Sequence, residues 1–227
     1  MLPPPLFIPP DFGIELIYTV TIMVLCFLVY YKTKEVYELT KHKGVQFFRY
    51  SFIFFGLAYA SRLFLYVIMV GDVLLFEPFV HPHRMSLMPA SNLVLAYFST
   101  MAIFYLVYST IWKKYSTEHF LTISNIVALF IAVIAFISRS PLIVSLTQLI
   151  LLLIVIIVNI KNHHNGKSKK RKPMYALYYL IATFWLVSLF AISVPKMFLP
   201  FGVKWALQII SLAVFATLYY KIVKWVK

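Results

Sequence analysis

Long apolar runs separated by short polar breaks occupy most of the chain. Seven can be marked, at 13–31, 45–70, 86–112, 120–138, 141–160, 174–194 and 201–223. An α-helix rises 1.5 Å per residue, so each run is long enough to cross ~30 Å of hydrocarbon. The pattern predicts an all-α integral membrane protein, a bundle of seven transmembrane helices in one domain over 13–227. The fourth and fifth runs are separated only by Arg139 and Ser140, with Pro141 suited to a helix N-terminus, which predicts a tight hairpin. Residues 1–12 contain five prolines and form an extended arm. The arm lacks the basic region of a secretory signal.

Lysine and arginine fall on one side of this frame. Lys32, Lys34, Lys41, Lys43 and Arg49 follow the first run, and Lys113 and Lys114 the third. Lys161, Lys167, Lys169, Lys170, Arg171 and Lys172 follow the fifth, and Lys221, Lys224 and Lys227 the last. The intervening breaks hold few basic residues, and Asp11, Glu15, Asp72 and Glu77 balance them. Positive charge marks the cytoplasmic side. The expectation is therefore an N-terminus outside, a cytoplasmic C-terminus and residence in the cell membrane.

Composition agrees with that class and removes others. Of 227 residues, 62% are hydrophobic and 12% charged, and the mean hydropathy of +0.87 leaves too little polar surface for a soluble domain. The net charge of +14 belongs to the inner loops and does not point to nucleic acid. In the SKKRKP segment, Lys169, Lys170, Arg171 and Lys172 enforce topology and meet anionic lipid. The lone Cys26 lies in an apolar run and reads as inert packing.

Candidate chemistry centres on Arg62, which stands well inside the second run, ~12 Å below its outer end. An ionised side chain at that depth needs protein, water or a snorkelling path. Asn92, Gln148 and Gln208 fall in the same layer, ~5–12 Å deep, and Glu15 lies near its mouth. Two readings stand. These five residues are interhelical glue, or they line an outward-facing ligand pocket in which Arg62 meets an anionic group or Glu15. Gly56 and Ala60 on another side of the same helix invite close packing, which predicts the second helix at the centre of the bundle.

Other constellations carry less. His81 and His83 have an HxH ligand spacing, but the separating Pro82 suits an ordinary turn and further ligands are missing, so no metal is expected. No cofactor is expected either: intramembrane histidine pairs for haem and a mid-span lysine for a Schiff base are both lacking. The spans contain no mid-membrane carboxylate, and the chain has no GxSxG, HExxH or phosphate-binding loop, which disfavours an enzyme. An interfacial lipid-modifying enzyme using Glu15, Arg62, Asp72, Glu77 and His81 remains an alternative. So does a small-solute transporter, although no proline interrupts a span at its middle. A non-catalytic subunit of a membrane complex is a third. The preferred expectation is a sensor or receptor-like module that takes a ligand in the outer polar layer. With the last span ending four residues before Lys227, its signal would pass to a separate cytoplasmic protein.

Overall fold

The computed structural model describes residues 12–75, 82–138, 141–164, 172–193 and 201–226. Among these residues the chain forms seven helices: α1 Phe12–Thr40, α2 Lys43–Leu75, α3 Pro82–Ile111, α4 Thr117–Ser138, α5 Pro141–His164, α6 Lys172–Ser193 and α7 Phe201–Val226. Five of them (α1, α2, α3, α4 and α7) are long and apolar enough to cross a membrane, and α5 and α6 hold shorter apolar segments. The extended arm, apart from Phe12 in α1, and the Arg139-Ser140 turn lie outside the described residues.

The first helix outruns its apolar stretch. Residues 32–40, expected as loop, continue α1, so Lys32 and Lys34 ride on helix rather than on a connection. Lys41 then takes a left-handed φ of 48°, its N–H returning 2.7 Å to the carbonyl of Tyr37. A left-handed residue after the last turn is a standard helix stop. The chain reverses within two residues and begins α2.

Six helices close a ring in the order α1, α2, α3, α5, α6, α7, with α7 packed back on α1. The remaining helix, α4, lies outside it against α3 and, less extensively, α5. Aromatic side chains fill the middle. Phe48, Phe52, Phe55 and Tyr59 repeat along one face of α2 and are all buried. Phe55 meets Phe184 and Trp185 of α6 at ring-centroid separations of 5.4 and 4.2 Å, and Phe52 meets Phe215 of α7 at 6.2 Å. Edge-to-face and tilted pairs of this kind add to the area that the rings bury.

The central position expected for α2 falls to α3. Ser99, Thr100, Met101, Ala102 and Ile103 are consecutive and all buried. Five successive buried residues surround a helix completely, because 3.6 residues make one turn. The backbone of α2 lies beside α1 and α3, its aromatic face reaches α6 and α7, and Phe64 and Val67 on its other side are exposed. Gly56 does allow the close approach expected of it: a Cβ there would lie 3.4 Å from the Cβ of Cys26 on α1.

Outside the ring, the polarity of a soluble bundle is reversed. Ser124, Ala128, Ala132 and Ala135 are the buried face of α4. Ile123, Ile126, Phe130 and Ile137 stand more than 60% exposed. Small residues inside and large apolar ones outside suit a helix whose outer solvent is lipid. This is a multi-pass helical membrane protein.

Candidate functional site

Three helices bring a charged cluster together. Glu15 sits in the first turn of α1, where the helix dipole favours a carboxylate. Arg62 and Tyr66 are one turn apart on α2, and Lys204 lies near the start of α7. Glu15 Oε2 accepts from Tyr66 Oη at 2.6 Å and from Arg62 Nη2 at 3.4 Å. Its Oε1 accepts from Lys204 Nζ. Arg62 Nε donates to Tyr66 Oη at 2.9 Å. The side chains of Arg62, Glu15 and Lys204 are 18%, 16% and 14% exposed, so the pairs are largely withdrawn from solvent. Low polarity strengthens them and makes an unmade bond expensive.

One donor group in this cluster is unmade. Among the described residues Arg62 Nη1 is buried without a hydrogen-bond partner, while the other two guanidinium nitrogens are held by Tyr66 and Glu15. Arg62 also lines an open-mouthed cavity of about 80 Å³ between α2, α3, α5 and α6. Ala58 and Phe55 form its α2 wall, Leu95 and Asn92 its α3 wall, Val144 and Ser145 its α5 wall, and Trp185 and Leu189 its α6 wall.

Gln148 joins three walls of that cavity. Buried at 4% exposure on α5, it donates through Nε2 to Ser99 Oγ of α3 and accepts at Oε1 from Trp185 Nε1 of α6 at 3.4 Å. A second polar junction closes the α6–α7–α1 side. Tyr18 Oη lies 3.1 Å from Ser188 Oγ and 2.9 Å from Ser211 Oγ, and the two serines are 2.8 Å apart. Three hydroxyls arranged this way can each donate once and accept once.

A further small void of about 10 Å³ lies between α2, α3, α6 and α7, lined by Phe52, Leu106, Ile181 and Phe215. Phe55 and Trp185 border both spaces.

Of the five residues expected to form the polar layer, Arg62, Asn92 and Gln148 line the one cavity, and Glu15 reaches it through Arg62. Gln208 does not line it. That side chain is buried on α7, and its Oε1 has no hydrogen-bond partner. Tyr66, Lys204, Tyr18, Ser188, Ser99 and Trp185 were not among the expected site residues. Tyr66 was findable in principle, since it stands four residues from Arg62 on the same helix face. Nothing in sequence spacing tied Lys204 to Glu15, 189 positions away.

Several expected contributors lie outside the described residues: His81, Glu77, Lys169, Lys170 and Arg171. Asp72, His83 and Lys172 fall within helices, but their side chains are outside the described part. Arg49, expected only as part of the inner basic rim, has a structural partner as well. It is 6% exposed, with its guanidinium 4.4 Å from the Tyr30 ring centroid and 5.4 Å from that of Tyr37, and its Nε donates to the Tyr30 carbonyl at 3.3 Å. It staples α2 to α1.

Compared with known proteins, the chain matches no family model and no solved structure. It is 32% identical over 230 residues to an uncharacterized protein of Archaeoglobus fulgidus, a match that covers 98% of this chain and 99% of that one. The chain belongs to that protein's family. Because the match runs nearly end to end in both, it takes in all seven helices together with the charged cluster and the cavity walls.

Proposed function

We propose that this is a seven-span sensor or receptor-like protein of the cell membrane, with its N-terminus outside and its C-terminus cytoplasmic. A small ligand occupies the cavity between α2, α3, α5 and α6, and a separate cytoplasmic protein reads the resulting change in helix packing. The cavity carries this reading: it is concave and open at its mouth, and buried polar groups from three helices converge on its apolar walls. Support for alternating spans comes from which helix ends meet there. The early part of α5 and the early to middle part of α3 face the middle of α2 and the late part of α6, in keeping with up-and-down crossings. The distribution of Lys and Arg supports the orientation, and the basic segment at 169–172 suits contact with anionic lipid.

Transport is the second reading, favoured by the void beyond Phe55 and Trp185. Were those two rings to part, the two spaces would join along the bundle.

Filling the cavity with protein tests the first reading. In Ser145→Trp an indole takes the place of an occupant. Spin labels at Lys113→Cys and Lys221→Cys then report the spacing of the inner ends of α3 and α7. A sensor shows a changed distance distribution between the filled and open forms. An unchanged distribution in a folded protein rejects coupling between cavity and inner face. Solute flux in proteoliposomes, lost in the filled variant, decides for transport instead.

A further inference from the structure

We infer that the occupant of this cavity is an amphiphilic anion: a carboxylate or phosphate group held by Arg62 Nη1, with an apolar body lying among Phe55, Leu95, Val144 and Trp185. The inference rests on the reading that the cavity binds a ligand and adds which chemistry it takes.

Three observations converge. The first is the unfilled donor. Nη1 carries two N–H groups, is buried, and bonds to none of the described residues, although buried polar atoms are almost always paired. The second is its position and rigidity. Tyr66 on Nε and Glu15 on Nη2 fix the guanidinium plane at the edge of the cavity that Arg62 lines, so the group is held there without a search through rotamers. A preorganised guanidinium recognises planar or tetrahedral oxyanions better than it recognises a neutral hydroxyl, because charge-assisted bonds are roughly twice as strong.

The third observation is the character of the remaining wall. Beyond Arg62 the lining is dominated by aromatic and aliphatic side chains, and Gln148, its deepest amide, is already committed to Ser99 and Trp185. A small hydrophilic anion would satisfy Nη1 and leave the apolar wall uncovered. A neutral hydrocarbon would fill the wall and leave Nη1 bare. Only a molecule with both parts meets both demands.

The test uses Trp185 as the reporter. Purified full-length protein in a neutral detergent is titrated with 11-bromoundecanoate, whose bromine quenches indole fluorescence on contact, and in parallel with 11-bromoundecanol. Subtracting the Trp185→Phe signal isolates the cavity. The carboxylate should quench Trp185 saturably, and the alcohol should bind about tenfold to a hundredfold more weakly. Arg62→Gln should bring the carboxylate down to the level of the alcohol, with Arg62→Lys between the two.

Equal binding of acid and alcohol by the unmodified protein overturns the anion assignment while leaving a ligand cavity in place, and that comparison needs no variant to fold. Unchanged carboxylate affinity in folded Arg62→Gln overturns it as well. Absence of Trp185-specific quenching by either compound removes the anion assignment and the ligand-binding reading together. Repeating the titration in phosphatidylcholine nanodiscs with and without phosphatidylglycerol separates the two sources of the anion. Displacement of the probe by phosphatidylglycerol identifies a bilayer lipid headgroup, and persistence of binding identifies a free amphiphilic acid.

Discussion

Replacing Glu15 by Gln removes the carboxylate on which α1, α2 and α7 converge. The change keeps the shape of the side chain and deletes the charge. The amide oxygen can still accept from Tyr66, but the NH₂ group now faces donors from Arg62 or Lys204. Exposed ion pairs are worth about 0–1 kcal/mol, and removing one partner of a fully buried pair costs ~3–5 kcal/mol. At 14–18% exposure the cluster lies nearer the second case. The expected loss is therefore ~2–3 kcal/mol. The measurement is reversible unfolding in mixed micelles, titrated with denaturing detergent and followed by tryptophan fluorescence. A single variant would not isolate the pair, so Glu15→Gln, Arg62→Gln and the double variant form a cycle. Their coupling should be ~1–2 kcal/mol, within the range for groups sharing one network. Strictly additive losses would refute the idea that Glu15 orients Arg62, however unstable the single variants are.

Other positions give sharper yes-or-no results. A Cβ on Gly44 would lie 2.9 Å from the carbonyl oxygen of Ser109, so Gly44→Ala should destabilise by ~1–3 kcal/mol. Gly202→Ala, with nothing within 4 Å of the new methyl, should be neutral or stabilising by up to ~1 kcal/mol in the same unfolding assay. Tyr18→Phe removes two of the three bonds in the hydroxyl triangle and should cost ~0.5–2 kcal/mol, with the loss largely absent in a Ser188→Ala, Ser211→Ala background. Arg49→Lys retains the charge of the inner rim but loses the planar contact with Tyr30. A stability loss of ~0.5–2 kcal/mol separates a staple from a topological charge, which Lys would replace at no cost.

Helix number and approximate limits were legible in the sequence, because an apolar run of span length is a strong signal whichever way its side chains point. The same insensitivity to rotation hid the centre of the bundle. Gly56 and Arg62 on different sides of α2 implied protein all round it, whereas Phe64 and Val67 leave one side of that helix exposed. The stretch of α3 that is buried all round is a run of small and mid-sized residues, Ser99 to Ile103, that carries no unusual sequence mark. Depth along a helix was also readable, which is why Arg62, Asn92 and Gln148 fall on one cavity. Gln208 has a similar depth but stands outside the cavity lining, since depth leaves azimuth undetermined. The extension of α1 through Lys32–Thr40 was missed for another reason. Charged residues end a hydrophobic run without ending a helix, and only the left-handed Lys41 does that.

The closure of the ring by α7 against α1 has a consequence for how the protein is made. The helix of Glu15 leaves the ribosome well before that of its Lys204 partner, which lies 189 residues later. At the elongation rates typical of translation, ~5–20 residues per second, that delay is on the order of ten seconds or more. Until then α1 holds a carboxylate that only α2 can serve, through Arg62 and Tyr66. Those residues reach the membrane early, so the α1–α2 pair can shelter the charge by itself while synthesis continues. Arrival of α7 then turns a helical hairpin with its own internal counter-ion into the final seam of the barrel of helices. Order of assembly is thus encoded in which cation reaches Glu15 first.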